Sequence, residues 1–221
     1  MNATKFEPRF QDLPANLPVF PLPGALLLPR GRMPLNIFEP RYLAMIEDAL
    51  AASRLIGMIQ PKPGENVEPG AVPELYPTGC AGRIVSFAET DDGRYLVALA
   101  GLCRFNVARE LPAGRGYRRV AADYQPFERD MAGPGEGSIE RPRLVSALKD
   151  YVAHFGLSVD WNNLKKTDDE RLVTALAMLC PFTPEEKQAL LLAADLTERA
   201  RIVTALIEMS VAAGDASVVK H

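Results

Sequence analysis

The sequence predicts an α+β protein in two consecutive parts, a strand-rich part interrupted by one helix and then a helical part. Three observations predict it. Up to about residue 125 the chain is rich in Pro and Gly, with short apolar runs of strand length. After about residue 140 it consists mostly of helix formers with apolar residues at helical spacing. Between them, Asp130-Met-Ala-Gly-Pro-Gly-Glu-Gly137 has three glycines and a proline and little to bury, as an exposed connection requires. The expected division is a β-barrel domain over residues 1–125, a linker over 126–141 and a helical bundle domain over 142–221. A chain of 221 residues has room for one large or two small domains.

Strands are expected at Leu17–Phe20, Ala25–Leu28, Met33–Ile37, Leu55–Ile59, Cys80–Thr90, Arg94–Gly101, Arg104–Arg109 and Tyr117–Tyr124. Asp91-Asp92-Gly93 is the clearest hairpin turn, because Gly permits the positive φ that a tight reversal needs. Around it, Ile84, Ser86 and Ala88 alternate with Val85, Phe87 and Glu89, while Tyr95, Val97 and Leu99 alternate with Leu96, Ala98 and Ala100. Strands apolar on both sides fit a closed or nearly closed barrel. The inserted helix starts at Pro40, a residue suited to a first turn, and carries Tyr42, Ile46, Ala49 and Leu50 on one face.

In the second part, Thr167-Asp-Asp-Glu170, Thr183-Pro-Glu-Glu186 and Asp195-Leu-Thr-Glu198 each place a cap residue three positions before Glu. That reciprocal pairing satisfies orphan N–H groups and predicts three helix starts. Upstream, Leu144, Leu148, Tyr151, Val152 and Phe155 mark another helix, ended by Gly156 where a left-handed cap is usual. Leu172, Leu176 and Leu179 mark the next stripe, and Ile202, Val203, Leu206, Ile207 and Met209 the last. The expected product is a small antiparallel bundle.

Composition narrows the class of function. The chain is 48% hydrophobic and 24% charged, as in ordinary globular proteins, and 25 Lys and Arg against 28 Asp and Glu leave −3. An acidic excess argues against a general nucleic-acid or anionic-membrane binder, which needs a dense positive field. The longest uncharged run, Leu13 to Pro29, holds five prolines, too many for a membrane-spanning helix. Cys80, Cys103 and Cys180 form no C-x-x-C pair, so neither a disulfide framework nor a zinc knuckle is expected. A reducing, cytoplasmic setting follows as the expectation.

Catalytic parts are scarce. No G-x-x-x-x-G-K-[ST] cradles phosphate, no G-x-G-x-x-G follows a strand, and no G-x-S-x-G surrounds a serine. His154 and His221 are the two histidines; His154 follows an apolar helix stripe without a nearby Cys or Ser partner. H-E-x-x-H is missing, and Asp91-Asp92 and Asp168-Asp169 already serve a turn and a helix start. The expectation is no catalytic residue, no metal and no cofactor. Trp161, the single tryptophan, sits in a turn-like stretch and is read as packing against the bundle end.

One charge feature stands out. Arg104, Arg109, Arg115, Arg118 and Arg119 face only Glu110 in their stretch, with Phe105 and Tyr117 interleaved. A small RNA-binding face has that composition. The structural alternative is that these arginines line solvent-facing positions of edge strands and keep them from pairing with other chains.

The segment Leu17-Pro-Val-Phe-Pro-Leu-Pro-Gly-Ala-Leu-Leu-Leu-Pro29, followed by Met33-Pro-Leu-Asn-Ile-Phe-Glu-Pro-Arg-Tyr42, resembles the N-terminal substrate-binding domain of Lon proteases. Gly79-Cys-Ala-Gly-Arg-Ile84, Asp92-Gly-Arg-Tyr95 and Ala100-Gly-Leu-Cys-Arg-Phe105 continue the resemblance, as do Pro184-Glu-Glu-Lys-Gln-Ala-Leu190 and Asp195-Leu-Thr-Glu-Arg199. It covers roughly residues 15 to 210, and departs from the family at Asn36, where many relatives carry His. The resemblance implies a PUA-like β-barrel followed by a helical bundle, in a stand-alone member without the ATPase and peptidase domains of full Lon proteases. It implies recognition of unfolded or flexible polypeptides, in association with a Lon-type protease.

A protein-binding surface needs exposed apolar anchors and a few orienting charges. The best supply is the N-terminal segment and the helix after it, giving Phe20, Leu22, Leu27, Met33, Phe38, Glu39, Arg41 and Tyr42 as candidate polypeptide-binding residues. Phe20, Phe38 and Tyr42 also suit closing the barrel, and Glu39 suits holding Arg41 or the helix start. Two rival readings stay open: RNA binding through the arginine cluster, and a small-molecule hydrolase or lyase built between the two parts from Glu39, Arg41 and His154.

Overall fold

A computed structural model describes residues 8–63, 72–133 and 137–218. The chain divides into two compact units, Met1–Gly133 and Pro134–His221. The first holds β1 (Asn16–Pro21), β2 (Arg32–Ile37), α1 (Pro40–Ala51), β3 (Leu55–Ile59), β4 (Thr78–Glu89), β5 (Tyr95–Gly114) and β6 (Tyr117–Asp123). The second holds α2 (Arg141–His154), α3 (Trp161–Lys166), α4 (Asp169–Leu179), α5 (Pro184–Leu192) and α6 (Leu196–Val218). This is an α+β architecture on one mixed sheet. Among the described residues, no helix is long and apolar enough to cross a membrane.

The sheet order is β2-β5-β4-β3-β1-β6, and β6 pairs with β5 as well, so the pairings leave β5 through β4 and return to it through β6. β1 runs parallel to β3 and antiparallel to β6. Its prolines are accommodated because the two partners engage different halves, β6 along Asn16–Val19 and β3 along Val19–Pro21. The core gathers Leu17, Val19, Leu55, Cys103, Phe105 and Val120. The hairpin at Asp91-Asp92-Gly93 forms as the sequence predicts, with Gly93 at φ 78° and Thr90 N–H donating to the Arg94 carbonyl at 2.9 Å.

Two strand expectations are corrected. Ala25–Leu28 is irregular and joins no strand ladder, although Leu26, Leu27 and Leu28 are all buried. The segments Arg94–Gly101 and Arg104–Arg109 form one strand, β5, which Gly101 does not interrupt. A Cβ at Gly101 would lie 2.0 Å from the Leu28 carbonyl oxygen, so glycine there admits the irregular segment against the strand. Arg30 N–H donates to the Gly101 carbonyl at 2.8 Å and Gly101 N–H to that of Gly31 at 2.9 Å.

α1 begins at Pro40 and buries Tyr42, Met45, Ile46 and Ala49, while Leu50 is only half-buried. Gln125–Met131, which falls in the expected linker, is a 3-10 helix instead. Its Asp130 carboxylate takes the Arg104 guanidinium at 2.8 Å and the Arg104 N–H at 3.0 Å, with both side chains about one-tenth exposed. Residues 134–136 of the glycine-rich stretch lie outside the described residues.

In the second unit the cap chemistry decides the helix starts. Thr183 and Glu186 form a complete capping box at α5. Asp195 accepts from Glu198 N–H at 2.8 Å, but Glu198 reaches back to Ala194 N–H. At α4 the cap is Asp168, accepting from Arg171 N–H, whereas Thr167 closes α3 by donating to the Asn163 carbonyl. Trp161 starts a short helix capped by Asp160 rather than lying in a turn. Leu144, Leu148, Tyr151, Val152 and Leu172 are buried as predicted. Phe155, Leu179 and Met209 are exposed. α6 packs on α2, α4 and α5. Buried Arg199 donates to the Leu190 and Ala193 carbonyls, satisfying the end of α5.

Candidate functional site

A groove of about 380 Å³ lies where the end of β1, the end of β2 and the start of α1 meet. Proline fixes each wall. Pro21 and Pro23 carry the chain out of β1, Pro34 lies in β2, and Pro40 opens α1 directly after Phe38 and Glu39. Tyr42 turns inward on the first helical turn and packs on Phe20, with ring centroids 4.2 Å apart. These two rings are buried and form the floor. Burial raises the Tyr42 phenol above its ordinary pKa.

Glu39 and Arg41 stand at the rim, bonded to each other at 2.7 Å, with the Arg41 guanidinium 4.6 Å above the Tyr42 ring. The pair cancels its own charge and holds the arginine over the aromatic ring. Phe38 is 63% exposed beside it. A phenyl ring left in water costs free energy that a bound apolar group would recover.

Of the predicted polypeptide-binding residues, Phe20, Leu22, Phe38, Glu39, Arg41 and Tyr42 line this groove together. Leu27 is a correction: at 1% exposure it is core, fixed there by the irregular segment against β5, and has no surface to offer. Met33 is half-buried on β2 and outside the lining. Pro21, Pro23, Pro34, Leu35 and Asn36 line the groove but were not among the expected residues. Their signal was the proline spacing, which marks walls rather than anchors.

The arginine cluster is dispersed. Arg104 is buried on Asp130 and stacked on Phe127 at 4.7 Å, which removes it from any accessible face. Arg115 bonds Glu47 at 2.8 Å and Asp48 at 2.9 Å, both on α1. Arg118 pairs with Glu110 and donates to the Pro73 carbonyl, and Arg119 donates to the Pro112 carbonyl. Arg109 is exposed. Two of the five arginines, Arg104 and Arg115, therefore meet acids distant in sequence, and Arg118 meets the Glu110 of its own stretch.

Cys80, Cys103 and Cys180 are buried free thiols, and burial holds each protonated, with Cys103 pushed up to about 12 and Cys180 to about 11. Glu39 and Arg41 engage each other, and His154 ends α2 in the other unit with its ring against Phe155. Among the described residues, no three His, Cys, Asp or Glu side chains are grouped to hold a metal ion. A smaller cavity of about 170 Å³ in the helical unit lies between residues 138–144 and α6, where Arg143 pairs with Glu208 at 2.9 Å.

Residues 16–209, which hold the sheet with its inserted helix and most of the helices that follow, match the family described as the ATP-dependent protease La (LON) substrate-binding domain, and the chain belongs to that family. Lon protease 2 of Myxococcus xanthus is 27% identical over 210 residues, covering 89% of this chain and 24% of that protein. Lon protease 2 of Thermus thermophilus is 28% identical over 219 residues, covering 90% of this chain and 25% of that protein. The chain thus spans about a quarter of the length of these relatives. A Lon N-terminal domain protein from Xanthomonas campestris has the same fold, with a TM-score of 0.57 at 23% identity over 86% of this chain and 97% of that one. The N-terminal domain of Mycobacterium avium complex Lon protease follows, with a TM-score of 0.55 at 16% identity over 87% and 97%.

Proposed function

We propose that this protein recognises exposed segments of other polypeptides, without catalysis of its own, and that the groove at the start of α1 is where it holds them. One observation carries the reading: Phe38 is 63% exposed at the mouth of a groove floored by Phe20 and Tyr42. An aromatic anchor over a preformed apolar floor, oriented by one charge pair, is the make-up of a binding hot spot. Membership of the Lon substrate-binding family supports the same role. We read the returning strand pairings as a PUA-like barrel, the helical unit as a small bundle, and the division near residue 133 as a domain boundary. The natural partners are unfolded or flexible clients and a Lon-type protease, in the cytoplasm.

The test is fluorescence anisotropy with labelled, reduced and carboxymethylated α-lactalbumin as the unfolded polypeptide, competed by structured RNA at low and physiological salt. Binding that survives salt, ignores RNA and weakens in Phe38→Ala supports the reading. Displacement by RNA that fades as salt rises would move the site to the arginines.

A further inference from the structure

We propose that the groove holds its occupant as an added strand. An extended polypeptide segment pairs through its backbone with the free edge of β2, placing an apolar side chain beside Phe38 and an acidic side chain toward Arg32. This rests on the polypeptide-recognition reading and specifies how the recognition is made.

β2 ends the sheet order and, among the described residues, pairs with β5 alone. Its hydrogen-bonding phase is legible. Gly101 N–H donates to the Gly31 carbonyl at 2.9 Å, and the register Arg32↔Ala100 through Ile37↔Tyr95 continues from that pair. In an antiparallel ladder, bonded and non-bonded pairs alternate. Met33, Leu35 and Ile37 therefore turn their backbone groups to β5, and Arg32, Pro34 and Asn36 turn theirs outward. Pro34 obeys the same phase, because a residue without an N–H is tolerated only where that nitrogen faces away from the ladder.

The outer edge thus presents the N–H groups of Arg32 and Asn36 and the carbonyls of Arg32, Pro34 and Asn36. Donors and acceptors repeating every second residue match one partner, an extended backbone, and the same edge lines the apolar groove through Pro34, Leu35 and Asn36. Main-chain pairing reads no side chain, which suits a receptor for exposed segments of many sequences. Pro34 also breaks the edge in the middle, so a second copy of β2 finds an incomplete template.

Charge sets the direction of the remaining preference. At the Phe38 end, Glu39 and Arg41 neutralise each other at 2.7 Å. At the other end Arg32 is exposed and carries net positive charge. A carboxylate is complementary there, about six strand residues or ~20 Å from the aromatic contact at ~3.3 Å per residue.

The experiment uses the full chain and a fluorescein-labelled eight-residue peptide bearing one Phe and, six residues away, one Asp, in both orders. Each peptide is N-methylated either on its odd or on its even residues. The expected result is that one set weakens binding more than twentyfold and the other less than threefold, since only alternate N–H groups face β2. Pro34→Ala, which restores a donor, is expected to tighten binding several-fold. Asp→Asn in the peptide is expected to weaken it several-fold in the parent protein but not in Arg32→Ala. Urea unfolding confirms that each variant is folded. Equal effects of the two methylated sets, with carboxymethylated α-lactalbumin still competing, would overturn strand addition and leave the polypeptide reading standing. If neither peptide nor α-lactalbumin binds, the polypeptide reading itself fails. Self-association of the parent chain in sedimentation, released by peptide-free Asn36→Pro, would instead assign the edge to a second copy.

Discussion

The arginine-bearing stretch of β5 and β6 and the groove beside β2 belong to one unit and dispose of their conspicuous residues in opposite ways. Along β5 and β6 the charges are consumed inside the fold: Arg104 by Asp130, Arg115 by Glu47 and Asp48, and Arg118 by Glu110. At the groove the reverse holds. The Glu39–Arg41 ion pair is self-contained, while the Phe38 ring is exposed and β2, among the described residues, pairs along one edge only. A local excess of charge in sequence is thus poor evidence for a charged ligand, because partners come from any distance along the chain. An exposed aromatic on a rigid strand end is better evidence, because nothing in the fold recovers its hydration cost.

The largest effect that would break this contrast is at Asp130. Asp130→Ala leaves Arg104 buried without its carboxylate and is expected to cost about 3–5 kcal/mol in urea unfolding, the range for removing one partner of a buried pair. A loss below about 1 kcal/mol would mean that the arginine is free to face a ligand after all. Gly101→Ala follows, at about 2–3 kcal/mol, because its Cβ would meet the Leu28 carbonyl oxygen 2.0 Å away.

At the groove the effects are on affinity. Phe38→Ala is expected to weaken unfolded-polypeptide binding about tenfold, or ~1.4 kcal/mol, while stability changes by less than about 0.5 kcal/mol. Unchanged anisotropy titrations would remove Phe38 as an anchor. Replacing Arg115, Arg118 and Arg119 together by Ala is expected to alter polypeptide affinity less than about twofold, with a stability loss of about 1 kcal/mol per pair at most. A larger affinity loss would erase the distinction between the two regions.

The smallest effect concerns pH. The Tyr117 hydroxyl donates to the Asp48 carboxylate at 2.7 Å, and this bond, followed by Arg115, holds Asp48 below the usual aspartate range. A depressed carboxylate contributes stability that is present above its unfolded pKa and lost as the pH falls through its folded one. Tyr117→Phe is therefore expected to lower stability slightly at neutral pH, with the difference from the parent vanishing at pH values below that depressed pKa. Parallel stability–pH curves over the whole acid range would show the bond to be without linkage.

Legibility of the fold in the sequence followed the range of each signal. Asp91-Asp92-Gly93, Pro40 and the Thr183–Glu186 box act within a few residues and formed where they were read. Thr167 and Asp168 offered two adjacent caps, and only the path of α3 chose between them. For the groove, Phe20, Leu22, Phe38, Glu39, Arg41 and Tyr42 were legible as a cluster, but Leu27 looked as available as Leu22. Nothing local separates those two leucines, since Leu27 becomes core only by packing on Gly82 of β4 and Gly101 of β5.

By itself the sequence determined the succession of a strand-rich part with one inserted helix and a helical part, the Gly93 turn, the Thr183 box and the family, because periodicity, proline, glycine and capping residues act on their own neighbours. Tertiary structure alone decided which arginines are spent, which leucines are covered and that β2, among the described residues, pairs along one edge only. Those outcomes depend on pairs such as Arg104 with Asp130 and Gly101 with Leu28, whose partners are 26 and 73 residues apart, and burial is a property of the packed neighbourhood rather than of the residue.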